Sequence, residues 1–389
     1  MLDFSKVIDR RGTDSYKWDG SDRALGNTEC IQMGCADMDF EAAPELVDAL
    51  RAVVEHKVSG YATLSPEFAN GVVSWYRTRH NVELKPEWVM HSPRIVVTAS
   101  IVVRTLSQSG DKVLLHTPYY PPLDCATQSQ GRVAVEPPLV QREDGRFSID
   151  FEQLETLVDD STKLMIFVSP HNPTTRVWTR AELEQLAAFC VKHKLYLFVD
   201  EIHCDFTAPG HEFISMLDIK GPIQERLIVV NSAAKSFNIM GCAISYLIIP
   251  NDELRHTIEQ AFVQAGEEDT NIFGNALMKV AYQKCGYYVD EVNAVINAND
   301  EFLRQELPTV FPQVKITPRE GSYLMWIDLR DEFASEQEMQ DFLINKAHIF
   351  WLEGSHFGPH FDGYARVNIG CPRATLEEMM RRLRAAKQA

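Results

Sequence analysis

Residues 227–241, LIVVNSAAKSFNIMG, open with four unbroken apolar residues and then turn abruptly polar, with a single amine at Lys235. The same design recurs upstream. Leu195–Val199 runs into Asp200-Glu201-Ile202-His203, Leu164–Val168 into Ser169-Pro170-His171-Asn172, and Val113–His116 into Thr117-Pro118-Tyr119-Tyr120. Tyr246–Ile249 is a fifth such run. Short, nearly continuous apolar strands fit a sheet covered on both faces, and their alternation with amphipathic segments predicts an α/β fold with a mostly parallel sheet. Between two strands, Thr179 and Glu182 form a capping box that starts a helix carrying Leu183, Leu186, Ala187 and Cys190. Thr375 and Glu378 predict a second capping box, opening a terminal helix toward Arg384.

The chain has 389 residues, enough for a large domain and a smaller one. The reading divides it into an N-terminal segment, residues 1–45, that joins the small domain, a large domain, residues 46–285, and a small C-terminal domain, residues 286–389. The net charge of −17 argues against a nucleic-acid partner. No apolar stretch is long enough for a membrane helix, and the charged N-terminus is no signal peptide. Eight scattered cysteines without a CxxC pair suit reduced thiols in the cytoplasm, with no metal site. His356 and His360 are separated by Gly358-Pro359, which forbids the helix that would align them.

In open α/β sheets, ligands gather beyond the carboxyl ends of the strands. Four strand ends here offer an aromatic ring, an amide, a carboxylate and an amine, which is the set that pyridoxal 5′-phosphate (PLP) requires. Lys235 is the candidate for the Schiff base and for the Cα proton transfer. Asp200 would keep the pyridine nitrogen protonated, Asn172 would serve the ring hydroxyl, and Tyr120 would stack on the ring. The phosphate calls for a helix N-terminus and hydroxyls. Val97-Thr98-Ala99-Ser100, entering the helical run Ile101–Leu106, supplies the first, and Ser232 the second. Taken singly, each of these residues has an ordinary structural reading. The ordered set favours the functional one.

These motifs resemble fold-type I PLP enzymes of the class I/II aminotransferase superfamily, and within it the MalY/PatB group of cystathionine β-lyases and cysteine-S-conjugate lyases. The resemblance rests on Arg11–Trp18, Ala36-Asp37-Met38-Asp39-Phe40, HNPTTRVW at His171–Trp178, DEIHCDF at Asp200–Phe206, KSFNIMG at Lys235–Gly241, and Arg366-Val367-Asn368 with Cys371-Pro372-Arg373. It implies a PLP-transferase-like fold and cofactor contacts from Tyr120, Asn172, Asp200, His203 and Lys235, beside the Val97, Thr98 and Ser232 already read for the phosphate. Arg366 would clamp the substrate carboxylate. Tyr61 would reach the neighbouring subunit's phosphate, in a homodimer with shared active sites. His203, where aminotransferases generally carry tyrosine, and the lack of an arginine after Gly241 lean toward the lyase.

The implied activity is β-elimination of cystathionine or another cysteine S-conjugate to pyruvate, ammonia and a thiol. The alternative is an aminotransferase using the same residues. A nucleotide-dependent oxidoreductase is weaker, since no GxGxxG follows an early strand. Three positions depart from the family pattern: Arg94 stands where glycine is usual, Ala234 where serine is usual, and Thr175 where Thr-Gly is common. The Thr174-Thr175 turn is therefore expected to avoid a glycine-only conformation.

Overall fold

A computed structural model describes residues 2–388. Seven strands form the main sheet: β1 (Val89–Ser92), β2 (Lys112–Leu115), β3 (Val133–Val135), β4 (Thr162–Val168), β5 (Tyr196–Asp200), β6 (Leu227–Asn231) and β7 (Ser245–Ile248). Their spatial order is β1-β7-β6-β5-β4-β2-β3. All five apolar runs are strands. β7 is antiparallel to both of its neighbours, and the remaining pairings are parallel.

Successive side chains along these strands enter two different cores, as the period of two demands. Leu164, Ile166, Phe198, Ile228, Val230 and Leu247 pack on one face, where Val102 and Val103 of helix Ile95–Leu106 and Ile258 of helix Asp252–Ala265 cover them. Met165, Phe167, Leu197, Val199, Val229 and Tyr246 pack on the other, against Leu183 and Leu186 of helix Arg180–Lys192 and Trp75 of helix Pro66–His80. Burial on both faces explains why these strands read as unbroken apolar runs rather than alternating ones. The Thr179–Glu182 capping box is formed, which contributes about 1 kcal/mol to that helix.

A second sheet lies C-terminal: β8 (Lys315–Ile316), β9 (Leu324–Asp328), β10 (Leu352–Glu353) and β11 (Tyr364–Asn368), in the order β8-β9-β11-β10, all antiparallel. Helix Gly286–Glu306 leads into it. Trp326 is fully buried there, stacked on Tyr364 at 5.2 Å. The N-terminal segment joins this part of the molecule through Ile31 and Gln32, which pair in parallel with Ile349 and Phe350. It is also tied inward by charge. Asp39 accepts from the Lys17 ammonium at 2.6 Å, Arg10 at 2.8 Å and the Trp18 indole at 3.0 Å.

Three local expectations are corrected. The terminal helix spans Arg373–Gln388, so Thr375 lies inside its first turn, its N–H on the Pro372 carbonyl. Glu378 pairs with Arg381 and Arg382 instead of capping. The helix expected over Ile101–Leu106 begins at Ile95, because Ile95, Val96 and Val97 read as strand formers yet pack as a first helical turn. Thr175 adopts φ +61°, the left-handed conformation it was expected to avoid. The surroundings hold it there: its N–H donates to His171, and its carbonyl accepts from Glu320 and Gly321.

Candidate active site

The carboxyl ends of β2, β4, β5 and β6 lie along one edge, because Val168 is in register with Asp200, and Asp200 with Val230. Asp200 ends β5, and Lys235 sits on the four-residue helix Ala233–Ser236 just beyond β6. Asn172 follows β4, and Tyr120 is the N-cap of helix Pro121–Gln128 after β2.

Asp200 is buried, and its sole hydrogen-bond donor among the described residues is the Ile202 N–H, 3.0 Å from Oδ1. Burial raises its carboxyl to about 6, with the Lys235 charge opposing. A buried carboxylate with one unused oxygen suits a cationic N–H donor such as a protonated pyridine. The Lys235 ammonium donates to the Ala36 carbonyl, and burial lowers its pKa. That shift favours the neutral, nucleophilic amine.

Arg366, on β11, reaches across from the smaller sheet. Nη1 donates to Asn172 Oδ1 at 2.9 Å, Nη2 to the Gly34 carbonyl at 2.7 Å, and the guanidinium lies 4.8 Å from the Phe357 ring centroid. Burial pushes its pKa down to about 10, and Nε has no partner. A buried guanidinium without a carboxylate partner calls for an anion. His203 Nδ1 pairs with Ser322 Oγ at 3.0 Å, and its ring meets Tyr323 edge-on. Burial holds it well below the usual imidazole range, hence neutral. Tyr120 remains about one-third exposed, its ring at the mouth of the site.

The anion-facing end of helix Ile95–Leu106 differs from the expected one. Thr98 N–H closes on the Arg94 carbonyl, and its hydroxyl bonds Ser92 and Arg94, so Thr98 is engaged internally. First-turn amides belong to Ile95, Val96 and Val97, so of the two expected residues only Val97 offers a free N–H. Arg94, at φ −157°, is in an extended conformation that needs no glycine. Ser232 is the N-cap of the lysine helix. Its hydroxyl accepts from Ala234 N–H and donates to the Ile244 carbonyl, leaving one acceptor lone pair and no donor for a phosphate. Tyr61 is 99% exposed, on the stretch before helix Pro66–His80.

The floor of the site is backbone to which the motif reading gave no role. Gly34, Cys35 and Ala36 present carbonyls to Arg366, Asn368 (2.6 Å) and Lys235, and Tyr323 OH also reaches Ala36 at 2.8 Å. The Cys35 thiol, half-buried, lies among Lys235, Arg366 and Tyr120. Carbonyls carry no residue signature; the clue available was that Cys35 immediately precedes the Ala36–Phe40 motif.

A seven-stranded mixed sheet with an amine, an open buried carboxylate and an arginine without a carboxylate partner at one edge defines a fold-type I PLP-transferase-like protein. The chain belongs to the aminotransferase class I and II family, whose model matches residues 28–383. It is 33% identical to cystathionine beta-lyase PatB of Bacillus subtilis (strain 168), over 99% of this chain and 100% of that one. It is 30% identical to protein MalY of Escherichia coli (strain K12), over 97% of each. The structure of cystalysin from Treponema denticola, which contains a pyridoxal 5′-phosphate cofactor, superposes with a TM-score of 0.95 at 31% identity, covering 100% and 99% of the two chains.

Proposed function

We propose that this protein is a PLP-dependent carbon–sulfur lyase that cleaves L-cystathionine or related cysteine S-conjugates by β-elimination, yielding pyruvate, ammonia and a thiol. One observation carries the reading: Lys235, the open carboxylate of Asp200 and the Asn172–Arg366 pair converge on one edge of the sheet. Full-length similarity to a cystathionine beta-lyase supports the sulfur leaving group.

The residues present fit the cofactor. Lys235 would bond its aldehyde carbon, Asp200 would accept from its ring nitrogen, Asn172 would donate to its ring hydroxyl, and the amides of Ile95, Val96 and Val97 would face its phosphate. Tyr120 would cover one ring face. When bound, PLP supplies an aldehyde for amine exchange and a ring that withdraws electrons from the substrate Cα. The chain's residues do the rest. Arg366 binds the substrate α-carboxylate and fixes which Cα bond is presented. The Lys235 amine would remove the Cα proton. As the Cβ–S bond breaks, the sulfur departs with its electron pair and takes a proton from Lys235. The three-carbon remnant leaves and hydrolyses to pyruvate and ammonia. Neutral His203, packed against Tyr323, adds no positive charge beside Lys235.

The same reading takes a homodimer as the working unit, with Tyr61 of each chain at the other's cofactor phosphate. Its support is the exposed apolar run Val54, Val58, Tyr61 and Leu64, which a second copy would cover. It also takes residues 1–45 with 286–389 as the smaller domain, 46–285 as the larger, and the cytoplasm as the location. All eight cysteines carry free thiols, and no described helix is long and apolar enough to cross a membrane.

The test is a pair of incubations of the PLP-loaded protein. With cystathionine alone, the reading expects pyruvate, ammonia and a new thiol in equal amounts. Amino transfer from a donor to a 2-oxo acid, with no ammonia released from cystathionine, would instead establish an aminotransferase.

A further inference from the structure

Immediately behind the lysine lies a buried cluster that the chemistry above does not use. Asp205 is 3% exposed at its side chain and accepts from the Trp75 indole at 2.9 Å, from His80 Nε2 at 3.0 Å, and from the Ser236 hydroxyl. Ser236 is the residue after Lys235. Burial would raise the Asp205 carboxyl, but the hydrogen bonds from His80, Ser236 and Trp75 hold it below the usual range, so it is an anion.

His80, Cys204 and Asp205 bring ligand atoms within 4.8 Å of one another, which suggests a metal site. Their contacts argue otherwise. Asp205 already has three donors, and Cys204 Sγ lies 3.2 Å from the Asn231 amide and 3.5 Å from His80 Nε2. No polar atom is left pointing at a vacant centre.

What the cluster holds is the turn bearing Lys235. A four-residue helix has no stability of its own. Upstream, Asn231 Oδ1 accepts from Ser232 N–H at 2.7 Å, and the Ser232 hydroxyl accepts from Ala234 N–H and donates to the Ile244 carbonyl. Downstream, the Ser236 hydroxyl is anchored on Asp205, and the Asn238 side chain on the Met38 and Phe40 backbone. Trp75 and His80 both belong to helix Pro66–His80, which follows the exposed stretch that carries Tyr61.

We propose that Asp205 is a positioning residue for Lys235: through Ser236 it fixes the lysine's turn, and through Trp75 and His80 it joins that turn to helix Pro66–His80. The inference rests on the reading of Lys235 as the reacting amine. Truncating Asp205 removes one anchor and loosens the turn, so the amine is delivered to the substrate Cα less often while substrate binding at Arg366 is retained.

The experiment uses cofactor-loaded Asp205→Ala, Asp205→Asn, Ser236→Ala and Ser236→Thr. It reads the pH midpoint of the cofactor's visible absorbance, and separately kcat and KM for elimination. The proposal expects Asp205→Ala to move the midpoint by about half a pH unit or more and to lower kcat about 10-fold, with KM within about threefold of wild type. Ser236→Ala shifts both in the same direction, and Ser236→Thr, which keeps the hydroxyl, restores them. Should the aspartate variants fail to fold, the serine pair is read by the same criteria. A midpoint and kcat that match wild type in folded Ser236→Ala overturn the proposal, as does a change confined to KM. Borohydride-fixable colour in Lys235→Ala equal to wild type would overturn the lysine assignment itself, whatever the Asp205 variants do.

Discussion

Arg366 and Asn172, 194 residues apart in the chain, are joined by a 2.9 Å hydrogen bond between Nη1 and Oδ1. The bond links the smaller sheet, which carries Arg366, to the loop after β4 that carries Asn172. Both members are buried, so under the proposed function substrate binding and cofactor contact would form one polar unit.

Because the two share a partner, their substitutions are expected to be non-additive. Asn172→Ala leaves a buried N–H of Arg366 unpaired, and Arg366→Ala leaves Oδ1 unpaired. A double-mutant cycle on kcat/KM should give a coupling of about 1 kcal/mol or more. Independent effects, additive within about 0.3 kcal/mol, would mean that the bond does not operate in the working enzyme.

Asp200 predicts opposite signs for stability and activity. In cofactor-free protein the folded carboxyl titrates near 6, against an unfolded value of 3.8. Between those values the native state holds the extra proton, so this group's contribution to stability declines as pH rises through the window. Asp200→Asn removes the buried charge. Cofactor-free Asp200→Asn should be more stable than wild type at pH 8, by about 2–3 kcal/mol, with the gain fading toward pH 4. The loaded variant should lose elimination activity by about 100-fold or more, since the ring nitrogen loses its anion. Urea titrations at the two pH values, paired with pyruvate assays, read both signs.

Thr175 stores strain. A β-branched residue at φ +61° costs about 1–2 kcal/mol, and its Oγ1 is buried without a partner. Thr175→Gly relieves both while retaining the backbone hydrogen bonds to His171, Glu320 and Gly321. Glycine's greater unfolded freedom offsets part of the gain. A net stabilisation of about 1 kcal/mol is expected by chemical denaturation, and a variant less stable than wild type would contradict the strain account.

Tyr61 tests the shared site. If it serves the other chain's cofactor, Tyr61→Phe and Lys235→Ala cripple different active sites of a mixed dimer. One site then carries both defects and the other carries neither. Unfolding and refolding the two inactive proteins together should recover about a quarter of wild-type activity, because half the dimers are mixed. No recovery in verified mixed dimers would place Tyr61 at its own chain's site or at none.

The strand ends were legible because two physical requirements coincide there. Double-sided burial makes each strand a continuous apolar run, and its end must turn polar where the sheet meets a ligand. Asp200, Asn172 and Lys235 all announce themselves in this way. Val97 and Thr98 were harder, since β-branched residues conceal a first helical turn that tertiary packing enforces. The antiparallel direction of β7 leaves no mark in an apolar run. Thr175 was misread for a different reason: the left-handed turn is imposed by contacts with Glu320 and Gly321, about 145 residues away. The Gly34–Ala36 floor and the Asp205 cluster depend on backbone carbonyls and on contacts between distant elements, which appear only when the chain is folded.

Peptide mapping reads the identity of the reacting amine. The PLP-loaded protein is reduced with borohydride, digested, and each lysine peptide is weighed. A single phosphopyridoxyl group is expected, on the peptide that contains Lys235, and none in Lys235→Ala. A label on any other lysine, or an unmodified Lys235 in fully loaded protein, would contradict the assignment of Lys235.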